Sequence, residues 1–152
     1  MPRRRPVAPR AAPRARRPSP ATPSEAERLQ LALARELAGL GRDALPRALR
    51  ALAAAYAPDA PLSRAVARAF LETRGDKTRA LALAWAREQV RLALQELVEA
   101  TPPSARGAVP TRPETLSWLL LAGAEALAKE PPSAVPDRLK ALAVLTGVEA
   151  AP

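Results

Sequence analysis

A chain of 152 residues is long enough for one domain with its own core. Its residues are 48% hydrophobic but only 3% aromatic, so that core must be built of Ala, Leu and Val on closely packed helices. The absence of both Cys and His excludes disulfides, Cys/His zinc centres and His-based triads. The net charge is +9, but the first 23 residues hold seven Arg and no acid, leaving the rest of the chain only +2.

Residues 1–23 also contain seven of the 18 prolines. Such a segment cannot bury enough apolar surface to order itself, so a disordered tail with polyproline character is expected. Three readings of it stand side by side. The Arg clusters (Arg3, Arg4, Arg5, Arg14, Arg16 and Arg17) suit a non-specific nucleic-acid arm, because they would neutralise phosphates. An Arg-rich, acid-free leader also fits a targeting peptide, although its prolines oppose the amphipathic helix such peptides need and no apolar core of a secretory signal is present. The third is a solvated tail without a partner, an artefact of where translation is taken to start.

Order is expected to begin at Ser24. Ser24-Glu25-Ala26-Glu27 forms a capping box, Leu29, Leu33, Leu37 and Leu40 follow at helical spacing, and Gly41 closes a helix over 24–40. Asp43 is placed to cap a second helix over 44–57, with Leu45, Leu49, Leu52 and Tyr56 on one side. Asp59 and Pro61 open a third over 61–74, with Leu62, Val66, Ala69 and Phe70 inward and Gly75 at its end.

The fourth helix, 76–100, organises the chain. Asp76 is its expected N-cap, and Thr101-Pro102-Pro103 stops it. Leu83, Ala86, Val90, Ala93, Leu94 and Leu97 fall on one broad face, and Leu81, Trp85 and Leu92 on a second apolar strip. Two strips predict a central helix packed on both sides. The fifth, 113–129, is expected to open on a capping box, Thr111-Arg112-Pro113-Glu114, with Pro113 in the first turn. From Leu116 to Ala128 its only polar residues are Ser117 and Glu125. It is too short to span a membrane and so must be covered on most sides, by the same chain or by a second copy. A short sixth helix covers 136–146. The expected fold is all-α, an orthogonal or antiparallel bundle of about six helices over 24–147, with tails at 1–23 and 148–152.

Chemistry is harder to find. Glu88, Glu96, Glu99 and Glu125 are scattered, and the sequence has neither a phosphate-binding loop nor a nucleophile elbow, so no enzyme, metal or cofactor is expected. The segment ARELAGLGRDALPRALRAL has the outline of a helix-turn-helix that would offer Arg47 and Arg50 to DNA, but Arg42 stands where that motif packs an apolar residue, and a plain helical hairpin is the better reading. Tyr56, Phe70, Leu81, Trp85 and Gln89 are the candidate lining of a cavity between helices.

The second half resembles a known pattern. AWAREQVRLALQELVEA, then RGAVPTRPETL, then SWLLLAGAEALA and DRLKALAVLTG are similar to the C-terminal domain of TetR-family transcriptional regulators. In that family a loop of the form G-x-Φ-x-x-D-x-P-x-x-L leads into an apolar helix. Gly107, Val109, Pro113 and Leu116 match, Thr111 replaces the acid, and Ala126 stands where a Gly often falls. The resemblance is best over 80–147 and extends loosely to 24–75. It implies a cytoplasmic, homodimeric domain that senses a small apolar or amphipathic molecule, and whose last two helices pair with their mates through Leu116, Leu119, Leu120, Gly123, Leu127, Leu139, Leu142 and Leu145. The Arg/Pro tail stands where family members carry their DNA-binding head, so the implied protein lacks sequence-specific DNA binding. It would be a truncated or mis-started regulator, or a partner of full-length relatives.

Overall fold

In a computed structural model, residues 22–41, 44–102 and 112–146 are described. They form α1 (Glu25–Ala38), α2 (Leu45–Ala55), α3 (Pro61–Glu72), α4 (Lys77–Ala100), α5 (Pro113–Leu127) and α6 (Val135–Leu145). No strand occurs among the described residues. The protein is an all-α bundle.

The helix ends follow local chemistry. Ser24 Oγ accepts from the Glu27 N–H while the Glu27 carboxylate accepts from Ser24, completing the capping box of α1. Asp76 Oδ1 accepts from the Arg79 N–H at 3.0 Å and caps α4. Pro61 and Pro113 occupy the first helical position of α3 and α5, where a missing N–H costs nothing. That placement corrects one expectation. With Pro113 at the first position the N-cap of α5 is Arg112, which makes no side-chain cap bond, so Thr111 and Glu114 are not spaced as a box. Likewise α2 is capped by Ala44 and α3 by Ala60, neither with a side-chain bond. Asp43, Gly107, Val109 and Thr111, and the arginines expected at 1–23, lie outside the described residues. Gly41 and Gly75 turn the chain with φ of 74° and 84°, a region open to glycine without strain.

The main core joins α1, α2, α4 and α5. Leu37, Leu45, Leu52, Val90, Leu94, Val98, Leu120 and Leu121 are each almost wholly buried in it. α4 makes its most extensive contact with α1 and its next with α5. A smaller cluster, Ala26, Ala65 and Ala69, seats α3 on α1. Those small side chains let the two helices approach closely and so fix the rotation of α3. Phe70, expected inward, is turned out and 66% exposed.

α5 is covered differently from expectation. Leu116, Leu120 and Leu127 face the core of their own chain, so they are not free to pair with a mate. Gly123 lies against α6, where an added Cβ would overlap the Leu142 side chain. Leu119, Leu139 and Leu145 are half-buried. The outer side of α5 is tolerable in water because Thr115, Ala122 and Ala126 are small; only Trp118 there is large.

Candidate functional site

Three features of the folded chain could carry function, and α4 takes part in all of them. The first is a polar seam between α4 and α5. Arg87 donates from Nε and Nη2 to the two carboxylate oxygens of Glu125 at 2.6 and 2.8 Å, the bidentate geometry that makes such pairs directional. One turn on, Arg91 donates to Glu88 at 2.6 Å, to Gln95 Oε1 at 2.7 Å and to Ser117 Oγ at 3.1 Å. Gln95 in turn donates to Glu99. The Arg91 bonds hold the Glu88 carboxyl below its ordinary pKa, and the Glu125 bonds raise that of Arg87 further.

Near this seam lies a buried polar pair of which the sequence pattern singles out only Tyr56. Gln30 occupies the middle of the apolar face of α1 and Tyr56 follows the end of α2; both are 2% exposed. The two side chains lie close together, yet neither Gln30 Oε1 nor the Tyr56 hydroxyl makes a hydrogen bond of good geometry. Burial, reinforced by the charge of Glu125, pushes the Tyr56 pKa up to about 12, while Gln30 and Arg87 pull it the other way. The sequence signal for Gln30 was present: it is the one polar side chain among Ala26, Leu33 and Leu37 on that stripe.

The second feature is a pair of clefts. One, of about 290 Å³, lies among Ser24, Glu25, Glu27, Glu72, Thr73 and Arg79. The other, of about 580 Å³, lies among Arg87, Glu88, Arg91, Arg112, Glu114 and Trp118. Charged side chains dominate the second, whereas the first mixes three acids and Arg79 with Thr, Ser and Ala. None of the candidate cavity residues lines either cleft. Tyr56 is in the core, Gln89 is half-buried, and Phe70, Leu81 and Trp85 face outward. The structure does not bring these five together. Their expected grouping assumed that α4 was enclosed, and it is not.

That exposure is the third feature. Leu81, Trp85 and Leu92 are 71%, 58% and 39% exposed. They form the second apolar strip of α4, on the opposite side of the helix from Ala86, Val90 and Leu97. α4 is therefore packed on one side only within the chain. α1 and α2, the two helices of the expected hairpin, are in contact, and Arg47 of α2 donates to the Leu40 carbonyl at 3.0 Å. Among the described residues no group of acidic side chains is arranged to hold a metal ion, and no helix is long and apolar enough to cross a membrane. In comparisons with protein-family models, curated proteins and solved structures, nothing matches the chain.

Proposed function

We propose that this protein is a helical interaction domain that works by covering the outer strip of α4 with another protein surface. The observation that carries the reading is the exposure of Leu81, Trp85 and Leu92 in a line on a helix whose other face is fully packed. Isolated exposed leucines are ordinary, but a line of large apolar side chains including Trp marks an interaction site. The test is a photo-crosslinking amino acid placed at Leu81 in living cells, with exposed Arg64 on α3 as the control position. A discrete adduct from position 81 and none from 64 is expected. No adduct at 81 would overturn the proposal.

A second reading, sensing of a small molecule between helices, is favoured by one observation: the two unpartnered buried polar atoms at Gln30 and Tyr56. A ligand reaching them would supply the missing hydrogen bonds and would alter the absorbance titration of Tyr56, the only tyrosine of the chain. A titration unmoved by any apolar or amphipathic compound tested would remove this reading.

A further inference from the structure

The charges that flank the apolar strip of α4 identify what covers it. An isolated helix is stabilised by acidic residues in its first turn and basic residues in its last. α4 has neither. Its first turn holds Lys77, with Arg74 just before it, and its last turns hold Glu96 and Glu99. All four are exposed. The N-cap carboxylate of Asp76 answers the dipole at the start of the helix, but the exposed side chains along α4 still run from basic to acidic, an order that a neighbouring helix of opposite direction complements.

We propose that the strip is covered by a second copy of this chain, with the two α4 helices antiparallel about a two-fold axis at the level of Ala86 and Arg87. The inference rests on the reading of α4 as an interaction face. In an isologous contact each residue meets the one equidistant from the axis. About this axis Leu81 meets Leu92 of the partner subunit, and Lys77 lies level with Glu96 of the partner subunit across the width of the contact. Arg74, in the preceding turn, approaches Glu99 of the partner subunit. The basic start of each helix then lies along the acidic end of the other. The two Trp85 side chains flank the axis with an axial offset of about 4.5 Å, within the range of an offset aromatic pair. A parallel arrangement would instead set Lys77 against Lys77 and Glu96 against Glu96, placing like charges together. The same positions explain why the strip is interrupted by Glu88: its carboxylate is already held by Arg91, so it does not enter the contact unpaired. A single helix face about 36 Å long is at the small end of specific interfaces, so association is expected to be concentration-dependent.

The chain has no cysteine, so introduced cysteines report the register without background. Leu81→Cys and Leu92→Cys proteins, both altered only at exposed positions, are mixed and oxidised. The expected result is a disulfide-linked pair from the mixture, with at least tenfold less product from either variant alone. Lys77→Glu is expected to weaken association and Lys77→Glu with Glu96→Lys to restore it. Product from Leu81→Cys alone, or none from the mixture, would overturn the antiparallel pairing. If it fails while position 81 still gives an adduct in cells, of a mass other than twice the 16.1 kDa chain, self-pairing falls and the interaction reading stands. If position 81 gives no adduct either, both fall.

Discussion

Replacing Tyr56 by Phe removes a single oxygen from the core and nothing else. The hydroxyl is buried and has no hydrogen-bond partner. A buried hydroxyl in that state is a desolvation penalty of roughly 1–3 kcal/mol, so the usual sign of a buried Tyr→Phe change should vanish or reverse. At pH 7 the variant is expected to be as stable as the parent or up to ~1 kcal/mol more stable. Alkaline pH separates them further. The folded protein holds the phenolic proton to about pH 12 against an ordinary 10. A tyrosine whose folded pKa is raised supports the fold fully below pH 10. That support is lost progressively as pH rises from 10 through 12, because the unfolded chain ionises first. The gap corresponds to roughly 2–3 kcal/mol. Denaturant unfolding of both proteins at pH 8 and 11.5, with the difference taken at each pH, isolates this contribution from that of the many arginines. Absorbance of the sole tyrosine gives the native midpoint directly. A native midpoint near 10, or a loss of more than about 2 kcal/mol at pH 7, would refute the argument, since either would show a solvated or well-bonded hydroxyl.

Leu94 is fully buried, and Leu94→Ala should cost about 2–5 kcal/mol in denaturant unfolding at every protein concentration, whereas Leu92→Ala on the outer strip should matter only at concentrations where the chain associates. Glu125→Gln leaves Arg87, about a third exposed, without its carboxylate and is expected to lower stability by ~1–2 kcal/mol; a double-mutant cycle with Arg87→Met should recover part of that as coupling. Ser24→Ala removes the Oγ bonds of the α1 capping box but keeps the backbone N–H bond to Glu27 and should cost ~1 kcal/mol, while deletion of residues 1–21 should leave the melting temperature unchanged. Any duplex DNA binding of the full chain is expected to vanish with that same deletion and to fall steeply with salt.

The helices were legible because their punctuation is local. Ser24 with Glu27, Asp76, and the prolines at 61 and 113 mark starts, and Gly41 and Gly75 mark turns. Burial was legible where one stripe was unambiguous, as for Leu45, Leu49, Leu52 and Tyr56. It was not legible where two faces were equally apolar. α4 carries strips on both sides, and only the tertiary arrangement decides that Val90 and Leu94 face α1 and α5 while Leu81 and Trp85 face out. Phe70 was misplaced for a related reason: three alanines, not the aromatic ring, set how α3 lies on α1. α5 seemed to need a second subunit because its sequence is greasy all round, yet its Leu116, Leu120 and Leu127 are satisfied within the chain. The Arg87–Glu125 pair joins residues 38 apart in sequence, a separation that no local pattern announces.

Whether the outer strip of α4 is covered in solution decides the function proposed for it. Light scattering of the purified full chain across a hundredfold range of concentration measures this most directly. The mass is expected to rise from 16.1 kDa to twice that value, and a Leu81→Glu, Leu92→Glu variant with an unchanged circular dichroism spectrum is expected to stay at the lower mass throughout. A parent protein that remains at the lower mass at millimolar concentration, or a variant that pairs as well as the parent, would contradict the proposal.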